Sequence, residues 1–304
     1  MRYTLCARCR RNFAQRLKSF ENLRRNDFLG AYHPQQRTEK GTDMSHDDHD
    51  LGFHHDLPLM LGRRTLLRGI GGIAALTATT GVANAMTCVA DAFETAGPYP
   101  ADGSNTKAGQ TVNVLTEEGV IRRDMRTSFG DYSVTAEGLQ LDLQLQLVNV
   151  NAACAPLQDY AIYAWHCDTE GRYSLYDDTD RNYLRAVGIS DASGLVDFTT
   201  ILPGCYSSRY PHIHFEVFSS IDEAVSGRQA LLTGQLIVDE DTCAAAYAAH
   251  SVYASSARNL PRQSLSRDMV FGDNTDDQIA QQTIAMSGDV TTGLTGSVMI
   301  GLAL

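Results

Sequence analysis

The 304-residue chain has no run of apolar residues close to the roughly 20 that a helix needs to cross a bilayer. Its mean hydropathy is -0.22, which also argues against a stable membrane span. No internal repeat is visible. Positive charge is scarce after the first part of the chain: residues 1–85 carry 13 Lys and Arg against 8 Asp and Glu, whereas residues 86–304 carry 12 against 28. A body that acidic repels phosphate backbones, so nucleic acid is a poor partner. It suits a soluble exported protein, and equally a plain solvated acidic surface. Histidine is sparse too: of nine, only His166, His212, His214 and His250 lie in that body. What is present, 43% hydrophobic and 20% charged residues, suffices for a real core and excludes disorder or collagen-like repetition.

Residues 60–85 read MLGRRTLLRGIGGIAALTATTGVANA. Arg63 and Arg64 make a charged start, 70–82 a modest apolar stretch, and Ala83-Asn84-Ala85 a small-x-small cleavage site. The arginine pair followed by Leu66 and Leu67 resembles a twin-arginine export signal. The competing reading is an amphipathic first helix, which Gly69, Gly71 and Gly72 would weaken. The expected organisation is an upstream extension or disordered leader over 1–43, a signal peptide over 44–85 with translation starting at Met44, and one domain over 86–304. The mature protein would then be periplasmic or extracellular. Cys6 and Cys9 form a C-x-x-C pair with no second pair to complete a zinc site. His46, His49, His54 and His55 could bind metal but fall in the leader.

The body reads as strands. Leu139, Leu141, Leu143, Leu145 and Leu147 alternate with polar residues, the period-two signature of a half-buried strand. Further strands are expected over 161–165, 195–201, 212–218, 231–238 and 296–302, with turns at 191–194 and at Pro203-Gly204. The alanine-rich 242–256 stretch is the best helix. The fold class is therefore mainly β: a β-sandwich of mixed or antiparallel strands with few short helices.

His212 and His214 lie two apart on a strand, so both imidazoles face one side while Ile213 and Phe215 face the core. Two neutral imidazoles on one face begin a metal site; the plain alternative is a solvent-facing pair. No Asp or Glu lies within 201–215, so a two-histidine, one-carboxylate site lacks its local acid. The spacing for a Cys2His2 zinc site is absent as well. Tyr206, brought close by the Pro203-Gly204 turn, is the nearest anionic donor. A free phenol ionises at about 10, but a trivalent cation can hold it as phenolate.

The ordered pieces Gly171-Arg172-Tyr173-Ser174, Tyr183-Leu184-Arg185, Asp191-Ala192-Ser193-Gly194, Pro203-Gly204-Cys205-Tyr206 and Arg209-Tyr210-Pro211-His212-Ile213-His214 resemble the intradiol ring-cleavage dioxygenases, the catechol 1,2- and protocatechuate 3,4-dioxygenases. The resemblance spans roughly residues 94–218, and the segment Glu94-Thr95-Ala96-Gly97-Pro98-Tyr99 resembles the family's lead-in to the sandwich. It implies a non-haem Fe(III) ion held by Tyr173, Tyr206, His212 and His214, with Tyr206 and His214 axial. Catalytic roles follow for Tyr206, whose phenolate would be displaced by substrate, and for Arg209 beside the substrate. Read singly, Tyr173 could be a core or turn tyrosine, Tyr206 a rim tyrosine, and Arg209 a partner of surface acids. Two departures from the family pattern, Tyr163 in place of an acid and Gly188 in place of a glutamine, bear on substrate contacts.

The resemblance further implies cleavage of a catechol between its hydroxyl-bearing carbons, with both atoms of O2 incorporated, to a muconate-type diacid. The partners are then a small aromatic diol and O2, with room for a homo-oligomer. One alternative is an exported, non-enzymatic β-sandwich that binds an aromatic or carbohydrate ligand; another is a zinc hydrolase using His212 and His214. The body holds five cysteines. An oxidising compartment permits disulfides, and the expected pairs are Cys88–Cys154 and Cys205–Cys243 with Cys167 buried; reduced buried thiols are the competing expectation.

Overall fold

The computed structural model describes residues 88–227 and 229–304. The expected leader, signal, C-x-x-C pair and first histidine cluster lie outside the described residues. Eleven strands are seen among those residues, with helices that are few and short. None of these helices is long and apolar enough to cross a membrane.

The expected alternation in the leucine-rich segment is realised in β3 (Gln140–Asn149). Leu141, Leu143, Leu145 and Leu147 are buried while the intervening Gln and Asp side chains are not. β3 runs parallel to β11 (Gly293–Leu302), which is flanked by β10 (Ala285–Asp289). Its other edge pairs antiparallel with β7 (Leu195–Ile201) and briefly with β4 (Ala155–Pro156). The second sheet is antiparallel throughout. Its order is β6 (Arg185–Ile189), β5 (Ala161–Trp165), β8 (His212–Phe218) and β9 (Leu232–Ile237). Ile162, Ala164, Ile213, Phe215, Val217 and Leu236 from this sheet meet the β3 leucines, Val196 and Phe198 in one core. That is a sandwich, as expected.

Alternation then puts Tyr163, Trp165, His212 and His214 on the opposite face of the second sheet. Such a face of an antiparallel sheet commonly meets water. Here it does not: every residue of β5, β8 and β9 is buried. A strap over 88–101 and the loops before β6 and β8 cover it. The strap is pinned along its length. The Cys88–Cys154 disulfide holds its start, Asp91 and Gly301 exchange backbone and side-chain bonds, and Glu94 N–H donates to Thr233 O. Pro100 O accepts from Arg185 and Tyr163. A polar hairpin, β1 (Asp102–Lys107) with β2 (Gln110–Asn113), follows.

Two expectations need correction, and the structure locates one departure. Cys205 and Cys243 are not bridged; both are buried thiols. The Cys205 thiol points at the carbonyls of Tyr206 and Arg209, while Cys243 packs on the buried face of a helix. Cys167 is buried, as expected. Next, the expected 242–256 helix is two: α2 (Glu240–Ala249) and α3 (Ala254–Asn259), following a short α1 (Ile221–Val225). The break falls at His250, which is extended and whose ring bonds Val290 O at 2.7 Å. Lastly, Gly188 faces the sandwich core: a Cβ there would sit 2.2 Å from Val196 Cγ1. A side chain at that position would point into the core, away from the donor face.

Asp91 gives the fold a pH signature. Burial pushes its carboxyl up to about 7, against the lowering effect of its Gly301 bond. Between about pH 4 and 7 the folded protein therefore keeps a proton that the unfolded chain releases, and stability falls as pH rises through that window. His166 works oppositely: burial lowers it to about 4, so its contribution is lost as pH falls from about 6.5. The difference between Asp91→Asn and the parent isolates the first effect. In thermal melts from pH 4 to 8 the variant is expected to gain on the parent by a few kcal/mol, with a constant gap counting against the assignment.

Candidate metal centre

The buried outer face of β8 collects four donor atoms. His212 and His214 are held in register by Trp165 on one side and by Ile237 and Gln235 on the other. Their Nε2 atoms are 3.0 Å apart. Tyr173 Oη lies 3.1 Å from His214 Nε2 and 3.4 Å from His212 Nε2. Tyr206 Oη lies 3.5 Å from His212 Nε2. With metal–donor bonds of about 2.0–2.1 Å, donors separated by 90–120° sit about 3.0–3.6 Å apart, so these spacings fit one shared ion. No group of three or more His, Cys, Asp or Glu among the described residues could hold a metal; half of this donor set is phenolic.

Local structure explains how two loops deliver the tyrosines. After β5, Asp168 closes a turn by accepting from Glu170 and Arg172 N–H. Gly171 sits at φ +85°, and a Cβ on it would come within 2.9 Å of Tyr206 Cβ. Only glycine meets both demands. Tyr173 N–H then donates to Asp177 Oδ2 at 2.6 Å. The Tyr206 loop is fastened to the same turn: Gly204 N–H donates to Asp168 O. Ser256 of α3 accepts from Cys205 N–H and donates to Thr169 O. One hydroxyl thus couples the two tyrosine loops.

The electrostatics of the site disfavour charge on each donor. Burial, reinforced by neighbouring Tyr206, pushes the Tyr173 phenol well above its ordinary range. Burial also raises Tyr206, although the Arg209 charge opposes it. Burial and then Arg209 lower His212; burial, His212 and then Arg209 lower His214. His212 Nδ1–H donates to Tyr210 O at 2.5 Å, which turns the Nε2 lone pair inward. His214 Nδ1 has no partner among the described residues. Its ring is held instead by Trp165, stacked at 4.8 Å and 6°, which in turn stacks on Tyr163. Two imidazoles and two ionisable phenols suit a hard trivalent cation, since two phenolates cancel most of its charge.

Arg209 is buried and pairs with buried Asp268 at 3.0 Å, so the competing reading, a partner of surface acids, does not hold. It also donates to Gln235 Oε1 at 2.6 Å. Burial alone would raise Asp268, but Arg209 holds its carboxyl below the usual range. Asp268 additionally accepts from the N–H groups of Tyr210, Val270 and Phe271. Gln235 Nε2 donates to Thr95 O of the strap. Sequence reasoning missed Asp268, Gln235 and Trp165 as parts of this site. The other body histidines stay away from the donor cluster. His166 bonds Cys167 O and Thr200 Oγ1, and His250 bonds Val290 O.

A family model described as dioxygenase matches residues 117–269, a span that includes all four donors, Arg209, Gln235 and Asp268. No curated protein matches the chain. Among solved structures, the chain is similar to an intradiol ring-cleavage dioxygenase from Tetranychus urticae, at 24% identity over 62% of this chain and 88% of that one, with a TM-score of 0.49. It is similar to the dioxygenase domain of a carbohydrate-binding fusion from Streptomyces sp. SirexAA-E, at 22% identity over 62% and 96%, TM-score 0.38. A catechol 1,2-dioxygenase from Pseudomonas arvilla C-1 shares 18% over 61% and 58%, TM-score 0.37.

Proposed function

As the chain belongs to the intradiol ring-cleavage dioxygenase family and is an enzyme of that class, we propose that it uses a non-haem Fe(III) ion to cleave a catechol-type ring with O2 to a muconate-type diacid. The reading rests on one observation: the phenol oxygens of Tyr173 and Tyr206 and the Nε2 atoms of His212 and His214 converge on a single buried point. Bound there, ferric iron would supply a Lewis acid that chelates the catechol as a dianion and lets its ring react with O2.

The residues divide the remaining work. Tyr173 is fully buried with its backbone tied to Asp177, so it stays in place. Tyr206 is half-buried, its ring meets those of Tyr173 and His212 edge-on, and its Oη lies 3.5 Å from His212 Nε2. As the less buried of the two phenols, it is the one to turn aside and accept a substrate proton at its Oη. Arg209 acts electrostatically on both tyrosines and both histidines, and one of its Nη groups makes no hydrogen bond among the described residues. It can oppose negative charge that develops on the ring oxygens in a site where burial strengthens the effect. The strap shields the histidines from water.

The purified protein, loaded with iron, is expected to show a visible phenolate-to-iron band and oxygen uptake with catechol, protocatechuate or hydroxyquinol. Iron-free, colourless protein after loading would sink the reading. Tyr206→Phe is expected to weaken the band and slow turnover by about a hundredfold or more, and an unchanged spectrum would remove Tyr206 from the donor set. We also propose export through the twin-arginine-type signal, a reading to which the Cys88–Cys154 bridge lends support because disulfides persist in oxidising compartments. Cell fractionation with N-terminal sequencing tests it, and a cytoplasmic, uncleaved product would refute it.

A further inference from the structure

Arg185 is a buried cation without an anion. It opens β6 with 1% of its surface exposed. Among the described residues it forms no ion pair, whereas buried Arg209 has Asp268. Its guanidinium spends its protons on neutral oxygens: Nε donates to Ser174 Oγ, Nη2 to Ser174 O, and Nη1 to Pro100 O and Tyr163 Oη. Tyr163 supplies no counter-charge. Burial, against the pull of Arg185, raises its phenol far above the ordinary range, and it donates its own proton to Pro100 O at 2.7 Å. Asp102, an acid whose charge reaches Tyr163, is part-exposed and bonded to Ser104. Arg122, which donates to the Arg185 carbonyl, is a second cation.

This charge stands in line with the metal centre. Arg185, Trp165, His214 and Gln235 oppose one another on the successive strands β6, β5, β8 and β9, so their side chains share one face. Two strand spacings put the Arg185 and His214 backbones about 10 Å apart, with the Trp165 indole between them, stacked on His214. After burial, Arg185 is among the charges that lower His214 and His166. The hydrogen bonds behind His214 point the same way. His214 Nδ1 and Trp165 Nε1 are buried with no acceptor among the described residues, whereas His212 Nδ1 has Tyr210 O. An acceptor on the outer nitrogen raises a ligand's basicity, and His214 lacks one. The wall behind His214 thus presents a cation and two N–H edges.

We propose that Arg185 is an electrostatic tuning residue of the metal centre, whose uncompensated charge behind His214 raises the reduction potential of the bound iron. The proposal rests on the ferric reading of that centre. A fixed positive charge favours whichever state of its neighbour carries less positive charge. At about 10 Å and an effective dielectric constant of about 20, one unit charge shifts such an equilibrium on the order of tenfold. Burial of Arg185 keeps salt from screening the effect.

The test compares Tyr163→Glu with Tyr163→Gln, which remove the same ring and differ in the charge placed beside Arg185. In metal-free protein at pH 7, Tyr163→Glu should melt at the higher temperature, because its carboxylate meets a stranded cation. The reverse order would show that Arg185 needs no anion and overturns the proposal. With iron loaded, reductive titration followed in the visible band should place the midpoint of Tyr163→Glu about 59 mV below that of Tyr163→Gln, a tenfold change in a one-electron equilibrium. Equal midpoints overturn the proposal. Arg185→Lys should keep the parent's midpoint and Arg185→Gln should lower it, a second pair that decides the matter if a carboxylate at position 163 prevents folding. Protein that takes up no iron would remove the ferric reading and the proposal with it, and iron content tells that failure from equal midpoints.

Discussion

His214→Ala is expected to leave the protein unable to retain iron. His214 Nε2 lies 3.0 Å from His212 Nε2 and 3.1 Å from Tyr173 Oη. Its removal leaves three donors on one side and a void against Trp165. Losing even an outer-shell partner of a ligand costs about 10–100-fold in metal affinity, and losing the ligand should cost more. After loading and dialysis against a mild chelator, iron measured by elemental analysis should fall below about a tenth of the parent's, and oxygen uptake and colour should vanish with it. His212→Ala should behave alike. His166→Asn is the control, because His166 is equally buried but bonds Cys167 O and Thr200 Oγ1 outside the cluster. It should lose stability and keep iron. Full iron retention in His214→Ala would refute the ligand assignment, and iron loss in all three variants would point to general unfolding instead.

How far these features were legible in the sequence depends on the range over which each is encoded. The strands 161–165, 195–201 and 212–218 are read correctly because their marks are local: a short apolar run in the first, flanking turn signals around the second and period-two alternation in the third. The same alternation puts His212 and His214 on one face, but nothing local says that this face is buried; that follows from the strap, which only the fold brings over it. β1, β2 and β10 are polar or glycine-bearing, β4 spans two residues, and β6 is a short run, so their pairing is decided by neighbours rather than by pattern. Tyr173 and Tyr206 carry no local mark of a ligand and become candidates only through the ordered family resemblance. Asp268 is one acid among many in the body, and its burial with Arg209 depends on a loop well beyond the motif. The core-facing place of Gly188 was illegible for a related reason: likeness of sequence does not say which face a strand residue takes, and a one-residue difference in register changes the face. Cys205 and Cys243 lie in one core without bonding, since disulfide formation needs both Cβ vectors aligned as well as proximity.

Asp268→Asn tests the most concentrated electrostatic feature of the structure. Its side chain and that of Arg209 are almost fully withdrawn from water, with exposures of 1% and 2%, so removing one charge strands the other. Breaking a buried pair in this way costs about 3–5 kcal/mol. For a domain of this size each kcal/mol lowers Tm by about 2–4 °C, so a large fall in melting temperature is expected. Asn keeps one acceptor oxygen, enough for the N–H groups of Val270 and Phe271 on one side or of Tyr210 on the other, so the loss combines the charge with one backbone hydrogen bond. Because Tyr210 O orients His212 and Arg209 bears on both phenols, activity should fall by more than partial unfolding explains. Asp268→Glu should recover part of each loss. In Arg209→Met with Asp268→Leu, the two losses should not add, since paired apolar replacement avoids the stranded charge. Stability should then recover while activity stays low, because no cation remains beside the ring oxygens. A cost below about 1 kcal/mol in Asp268→Asn, the range of a surface pair, would show that Arg209 finds another anion or water, and the positioning role assigned to Asp268 would fall.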